Sequence, residues 1–393
     1  MTLLGRLGLD GYSDKRMSMF PMNSSENAGN GFATESVTDF KSYNIDVIAL
    51  GDLQINDNIG LNYLAGMNFS STEYDQRGGT YKNFLIDSDA FSYDNALIVD
   101  KTTFLNRTYS KLSGAYFSTA FDYKDYLYLT VGGRLETSST YSPNLKSYFY
   151  PTAEAAYKFT KNMDSQILTN GKLRVTFGQI ASIPRPYAGT TYFNSAGGAE
   201  GYGPAYDSGA YNGSFQRAQG RGNPNLKPEI KTETEFGADL EFFNRFTINA
   251  TYYTNETKDL LVDVPLNGSS TFGSIYGNFA TIENKGIEIE FDANLLSSNS
   301  PVKWNVFGNW SRNRNKVTAL EGTESLFLDG FAGSSSRAVL GQPLGVLWGG
   351  KFARDTNNTL ILDSNGFPTV APIEGVIGDP NPNWRGAIGT SIS

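Results

Sequence analysis

The feature of this sequence that most constrains its fold is a period-two alternation of apolar and polar residues, which returns in segment after segment. The clearest example is 286–295, where Ile287, Ile289, Phe291, Ala293 and Leu295 alternate with Glu288, Glu290, Asp292 and Asn294. Successive side chains of an extended chain point to opposite faces. Each such segment is therefore predicted to be a β-strand with one apolar and one polar face.

Other segments repeat this alternation, so about a dozen strands are predicted in all. Three are strong, at 43–55, 58–69 and 126–136, although Ile48 and Leu50 interrupt the polar face of the first. The weaker ones are 2–12, 111–123, 147–159, 172–179, 231–243, 246–257, 302–316 and 384–392. The 23 Tyr and 26 Phe residues suit strands of this kind. The predicted fold class is all-β, with antiparallel strands.

The connections between these strands fall into two lengths. Tight turns are predicted at Asn56-Asp57, Lys124-Asp125, Asn244-Arg245 and around 297–300, and long irregular connections at 75–110, 182–230, 258–283 and 318–343. A soluble β-sandwich alternates too, but it seldom carries several structureless loops of this size. Outer-membrane barrels combine tight periplasmic turns with long extracellular loops. We therefore expect a transmembrane β-barrel in which the polar face of 286–295 lines a wet lumen and its apolar face contacts lipid.

The chain contains no His and no Cys, which excludes imidazole and thiolate chemistry. Ser-His-Asp catalysis, zinc or haem held by His or Cys, and cysteine-ligated iron-sulfur clusters are all ruled out. A glycosidase with two carboxylates needs neither residue, but no Asp or Glu pair has a spacing that singles it out. We therefore expect no enzymatic activity, no catalytic residue, no metal and no cofactor.

The formal net charge of −8 at pH 7 argues against a general nucleic-acid-binding protein. One basic stripe nevertheless stands out, because Arg312, Arg314 and Lys316 fall on one face of a predicted strand. This stripe is interpreted as facing either phosphate or the lumen. Asn170-Gly171-Lys172-Leu173 lacks the first Gly and the hydroxyl residue of a phosphate-binding loop. Asp363-Ser364-Asn365-Gly366 is predicted to be a turn between strands.

A family resemblance begins at Asn223-Pro224-Asn225-Leu226-Lys227-Pro228-Glu229, where two prolines hold an extended segment before a strand. This segment closely resembles the N-P-N-L-K-P-E signature of TonB-dependent outer-membrane transporters. Further blocks follow in the order typical of the SusC/RagA branch, which is found in Bacteroidetes. They are 252–261, Asn278-Phe279-Ala280, 282–288, 313–317, 341–345 and 378–383.

The resemblance implies a plugged barrel of about 22 strands, roughly twice the number predicted here. The start of the chain lacks the long apolar core of a signal peptide, and no segment reaches the ~18 apolar residues of a spanning helix. The chain is therefore expected either to be cytoplasmic or to lack its true N-terminus. We interpret residues 1–393 as a partial β-barrel domain in the outer membrane, without the plug domain and the C-terminal strands.

The function that the resemblance implies is TonB-dependent uptake of oligosaccharides or peptides. The implied partners are a SusD-like surface lipoprotein and the TonB complex. A ligand site is predicted in the loop 184–221, whose aromatic residues suit stacking on sugars and hydrogen bonding. The candidate residues are Tyr187, Tyr192, Tyr202, Tyr206 and Tyr211. The alternative is a soluble, secreted β-rich adhesin or carbohydrate-binding module, which would need no detergent.

Overall fold

A computed structural model describes residues 1–88, 92–145, 147–195, 215–297, 299–331 and 333–393. Within these ranges the chain forms one large sheet of 13 strands, a sheet of four strands and a two-stranded ladder. The twelve long strands of the large sheet are antiparallel, and nearly all of them pair with their neighbours in sequence. They are β1 (Thr2–Met22), β2 (Asn30–Asn56), β3 (Ile59–Lys82), β4 (Lys101–Tyr123), β5 (Leu127–Ser138), β6 (Tyr148–Tyr157), β7 (Leu168–Ser182), β11 (Glu229–Phe242), β12 (Phe246–Pro265), β13 (Ser274–Asn294), β14 (Trp304–Leu320) and β19 (Arg385–Ile392).

The remaining elements are short and lie in the connections. They are β8 (Phe193–Ser195), β9 (Phe215–Arg217), β10 (Gly220–Arg221), β15 (Ser325–Phe331), β16 (Ser334–Val339), β17 (Val346–Gly349), β18 (Gly375–Gly378) and 3-10 helices at Glu26–Gly29, Tyr93–Asn95, Ile98–Asp100 and Gly268–Ser270. Strand β10 adds to β13 in parallel. None of the helices in the described part of the chain is long and apolar enough to cross a membrane.

All twelve predicted strands are present, and the prediction of an all-β antiparallel sheet is confirmed. The predicted long loops are wrong in part, because β3, β4, β12 and β13 continue well into them. Strand β3, for example, extends to Lys82, and β4 already begins at Lys101. Charged and hydroxyl residues occupy both faces of these extensions. Alternation therefore disappears there, although the strand pairing continues.

The register separates the sheet into an apolar face and a polar face. Residues directly opposite each other on adjacent strands point to the same side. One such row crosses four strands through Val175, Phe236, Tyr252 and Ile287. The apolar face exposes a continuous set of large side chains: Ile45, Val47, Met67, Phe69, Phe117, Phe121, Leu129, Val131, Leu135, Leu173, Val175, Phe177, Phe236, Ile248, Tyr252, Ile287 and Phe291.

This apolar band has a defined height. On β13 it covers the alternate positions from Ala293 to Ile287, and the next two positions on the same face are Lys285 and Glu283. The step from Ile287 to Ala293 is about 20 Å along the strand and about 15 Å along the membrane normal for a tilted strand, which fits within the ~25 Å apolar band of outer-membrane barrels. The short turns lie at one edge of the band, and the long connections lie on the other side.

The connection from β14 to β19 carries the four-stranded sheet β15–β18. It is held to the large sheet by a core of Val264, Ile282, Val317, Leu326 and Ala338. The backbone of Val317 also donates to Gln342 O and accepts from Gly341 N. In the described residues the edge strands β1 and β19 each have one strand neighbour, so the large sheet is open.

Candidate functional site

A chain of polar side chains crosses the polar face from β11 to β14. Asn255 Nδ2 donates to Glu233 Oε2 at 2.8 Å, and Asn284 Nδ2 donates to Asn255 Oδ1 at 3.0 Å. Asn313 Nδ2 continues the chain toward Asn284 Oδ1 at 3.4 Å. Lys231 Nζ lies 2.6 Å from Glu233 Oε2 at the other end. We call these five residues the polar ladder.

The polar ladder lines a cavity of about 490 Å³ on the polar face. Its other lining residues are Glu235, Thr251, Tyr253, Thr257 and Glu288. Carboxylates, amides, hydroxyls and one ammonium group therefore surround a single space. Pockets that bind small polar molecules use such groups to fix the orientation of the ligand. The predicted polar face of 286–295 contributes here, since Glu288 belongs to this cavity.

Several large side chains on the polar face lie flat over a glycine on the neighbouring strand. Tyr253 covers Gly286, and Tyr116 covers Gly66, each directly opposite its partner. A Cβ atom at either glycine would collide with the ring. Because the rings lie against the wall, they leave open space in front of the sheet and expose an aromatic face to it.

A second polar cluster lies toward the other edge of the sheet, where the connection between β5 and β6 packs on the polar face. Arg134 Nε and Glu136 Oε2 are 2.7 Å apart, and Glu136 is only 8% exposed. The hydroxyl of Tyr141 lies 3.4 Å from Glu136 Oε1 and 3.0 Å from the hydroxyl of Tyr150. Burial raises the pKa of Tyr141, so its hydroxyl stays protonated.

The residues of the N-P-N-L-K-P-E segment close the long connection between β7 and β11. Asn278 Nδ2 donates to Lys227 O at 2.9 Å and to Asp259 O at 2.7 Å, while Asn278 Oδ1 accepts from Lys227 N at 3.1 Å. Lys227 Nζ also pairs with Asp259 Oδ1 at 2.8 Å. Leu261 N donates to Glu229 Oε2 at 3.2 Å. We call this group the extracellular clamp.

Apolar burial reinforces the extracellular clamp. Leu226 is 1% exposed, and Pro184 and Pro228 are also fully buried. The backbone of Leu226 accepts a hydrogen bond from Ser142 N at 3.0 Å. The clamp therefore joins the connection between β5 and β6 to the connection between β7 and β11.

Two of the five tyrosines predicted to bind ligand lie in the described part of the chain. Tyr187 adopts a left-handed backbone (φ 63°), and its hydroxyl accepts a hydrogen bond from Tyr109 N at 3.2 Å. Tyr192 donates to Tyr187 O at 2.6 Å, and burial raises its pKa. Both rings are about half exposed. Tyr202, Tyr206 and Tyr211 lie outside the described residues.

The stem of the same connection is held by arginines. The Arg185 guanidinium lies 3.8 Å from the centre of the Tyr276 ring and 3.0 Å from Asp263 Oδ1. Arg217 stacks 3.9 Å above Phe272. A cation over an aromatic face contributes about 0.5 to 1 kcal/mol at an exposed site. These contacts position the segments that flank Tyr187 and Tyr192.

Neither the polar ladder nor the clamp contacts of Asn278 and Asp259 were predicted from the sequence. Asn255 occupies a polar position of the predicted strand 246–257, so its face was predictable, but Asn284 lies just before the predicted strand 286–295, and the alignment of the two depends on the register. Asp363 is a turn residue as predicted, since its Oδ1 accepts from Asn365 N and Phe367 N. Asn170-Gly171-Lys172-Leu173 lies within β7, where Gly171 N donates to Thr160 Oγ1 of the connection between β6 and β7 at 2.8 Å.

An antiparallel sheet with an exposed apolar band on one face, polar groups on the other, short turns at one edge and long connections at the other is the wall of an outer-membrane β-barrel. The chain belongs to the family described as "TonB dependent receptor-like, beta-barrel", whose model matches residues 6–388. It is therefore part of the barrel wall of an outer-membrane receptor, in a family of receptors and not of enzymes. The apolar face contacts lipid, and the polar face with its cavity faces the lumen.

Two receptors of Formosa agariphila are similar in sequence. TonB-dependent receptor P3 is 26% identical over 91% of this chain and 38% of its own length. TonB-dependent receptor P26 is 27% identical over 86% of this chain and 34% of its own length. The chain thus spans little more than a third of the length of these relatives.

Solved structures share the fold at lower identity. The RagAB peptide transporter superposes with a TM-score of 0.77 at 18% identity, covering 100% of this chain and 44% of that chain. The ferripyoverdine receptor of the outer membrane of Pseudomonas aeruginosa superposes with a TM-score of 0.51 at 14% identity, covering 99% of this chain and 48% of that chain. The expected resemblance to a TonB-dependent receptor barrel is confirmed, and the fold matches that of the RagAB peptide transporter.

Proposed function

We propose that this chain supplies the ligand-binding part of a TonB-dependent importer for short polar oligomers, peptides or oligosaccharides. The observation that carries the proposal is the 490 Å³ lumen cavity at the polar ladder. Asn255 and Asn284 offer both donors and acceptors there, and the Tyr253 ring lies flat beside them. Peptide groups and sugar hydroxyls need that combination.

In this proposal, other proteins supply the energy for transport and assist in capturing the ligand. A TonB complex and a SusD-like surface lipoprotein are the partners proposed for the whole receptor, together with a plug and closing strands. Among similar structures, RagAB is a peptide transporter, which makes peptides the first ligands to test. The loop tyrosines Tyr187, Tyr192, Tyr202, Tyr206 and Tyr211 are proposed to contact ligand as it enters. The soluble adhesin is not supported, because the chain belongs to a membrane-barrel family.

The test is a binding measurement on the receptor extracted in detergent. A mixture of short peptides and a mixture of short oligosaccharides are offered separately, and the retained molecules are measured by mass spectrometry. Asn255→Ala with Asn284→Ala is expected to reduce retention at least about tenfold, since two hydrogen-bonding groups to ligand are lost. Asn299→Ala, in the turn between β13 and β14, is the matched control. Equal retention by both variants contradicts the proposed site.

A further inference from the structure

The basic stripe Arg312, Arg314 and Lys316 is not used by the lumen site, and the register shows where it lies. Arg312 is opposite Ile287, Arg314 is opposite Lys285 and Lys316 is opposite Glu283. Ile287 belongs to the lipid-facing band, so the stripe is on the outer wall. The lumen-facing interpretation of the stripe is therefore wrong.

The stripe begins where the apolar band ends. Trp310 is opposite Ile289 within the band, and Arg312, Arg314 and Lys316 are the next three alternate positions of β14 on the same face. The turn between β13 and β14 marks the periplasmic edge, so these residues lie at the extracellular edge. An aromatic side chain followed by cations is typical of a lipid–water boundary.

Cations outnumber carboxylates in this patch. Lys285 and Arg314 are directly opposite each other, an arrangement that is unfavourable between like charges. Two acidic groups lie beside these cations on the same face. Glu283 is opposite Lys316, and its Oε2 lies 3.2 Å from Lys285 Nζ, while Glu256 is opposite Glu283 and pairs with Lys258 at 2.9 Å. In the described residues Arg312 and Lys316 make no ion pair or side-chain hydrogen bond, and both are exposed. Arg314 is oriented by Asn383 Oδ1 at 2.6 Å.

At the other end of the sheet, the cations on the outer wall are paired with carboxylates. There Arg77 lies 2.9 Å from Asp39, and Arg107 lies 2.7 Å from Asp75. These cations are neutralised by carboxylates on adjacent strands. The excess of cations on β13 and β14 is therefore a local property of one side of the wall.

We propose that Lys285, Arg312, Arg314 and Lys316 bind the phosphate-bearing headgroup of a glycolipid in the outer leaflet, with the acyl chains lying on the apolar band below. Charge complementarity and continuity with the lipid-facing band select this occupant. Arginine matches phosphate oxygens through paired N–H donors. An anion between Lys285 and Arg314 also removes the repulsion between them.

Native mass spectrometry of the receptor in detergent, titrated with diphosphorylated lipid A, tests this proposal. Arg312→Gln with Arg314→Gln is expected to lower retention of the lipid about thirtyfold, since each surface cation contributes to anionic-lipid binding. Arg77→Gln with Arg107→Gln removes two positive charges elsewhere on the outer wall and is expected to leave retention of the lipid unchanged. Arg312→Lys with Arg314→Lys, which keeps the charge, guards against misfolding and loses only the paired N–H donors, is expected to bind the lipid more weakly than the wild type but more tightly than the Gln variant.

Several outcomes would overturn the proposal. Equal retention by the wild type and the Gln variant is one, and equal loss in the Arg77/Arg107 control is another. Undiminished binding of fully dephosphorylated lipid A would show that only the acyl chains are recognised. If the wild type formed a dimer and the Gln variant did not, without loss of lipid, the patch would be a contact with a second copy. The experiment measures lipid binding and not ligand import, so its result is independent of the proposed transport function.

Discussion

The Asn278 side chain on β13 makes two hydrogen bonds with the backbone of Lys227, which lies just before β11. The two residues meet although β12 lies between β11 and β13. The pairing is possible because β12 bulges at Asp259, which has φ 59°. The same Asn278 amide satisfies the carbonyl of Asp259. One side chain on β13 thus joins β12 to the segment that precedes β11, at the base of the long connection between β7 and β11.

Replacing Asn278 by Ala is expected to destabilise the end of the connection between β7 and β11. Three hydrogen bonds are lost at about 1 kcal/mol each, so the local opening free energy should fall by about 2 to 3 kcal/mol. Faster amide exchange in 215–229 measures the effect. Asn357→Ala, in an exposed turn where only the backbone is bonded, is the control. Unchanged exchange in Asn278→Ala would show that the clamp does not stabilise the connection.

Arg134→Ala is expected to destabilise the wall more than most substitutions in this chain. It leaves the nearly buried Glu136 carboxylate without its cation, and breaking such a pair costs about 3 kcal/mol. The double variant Arg134→Met with Glu136→Gln removes both charges and should recover most of the loss. The temperature at which the folded band disappears in gel electrophoresis gives the comparison. Equal destabilisation of the two variants would contradict the role of the unpaired charge.

Gly286→Ala is expected to push the Tyr253 ring away from the wall, because the new methyl group overlaps the ring. Overpacking of this kind costs about 1 to 3 kcal/mol, and the displaced ring narrows the cavity. Gly178 is also on the lumen face, but a Cβ there would be 3.8 Å from the nearest atom, in Thr152. Gly178→Ala should therefore change stability little. Equal thermal stability of the two variants would be evidence against close ring packing.

Glu35 provides a pH-dependent contact outside the membrane. Lys15, whose Nζ lies 2.5 Å away, and the Tyr93 hydroxyl hold the pKa of Glu35 below its ordinary value of 4.5. The ionised form is favoured in the folded state, so this stabilisation is complete above pH 4.5 and is lost as the pH falls through the lowered pKa. Amide exchange in 92–100, corrected for the intrinsic rate, should rise only in acid.

Glu35→Gln should give a similar loss of protection at neutral pH and little further change in acid. Glu73→Gln, on the neighbouring strand β3, serves as the control with normal protection. If the acid-induced rise persists in Glu35→Gln, another group is responsible for it.

The alternation of residues predicted the strands and their faces, because period two is a local property of the chain. It could not predict the ends of β3 and β4 beyond the membrane, where water reaches both faces and polar residues such as Glu73 and Asp75 satisfy either side. The contacts of the extracellular clamp and of the polar ladder could not be predicted from the sequence either. The alignment of Asn255 with Asn284 depends on register and on the bulge at Asp259, and neither has a signal in the sequence.

The length of β2 has a consequence for how the cell surface is recognised. The apolar band ends near Tyr43, and the strand continues for about twelve residues to Asn30, which places the β1–β2 hairpin about 30 Å above the lipid boundary. An antibody or a phage tail fibre approaching the bacterium meets the residues between Met22 and Asn30 before it meets the membrane.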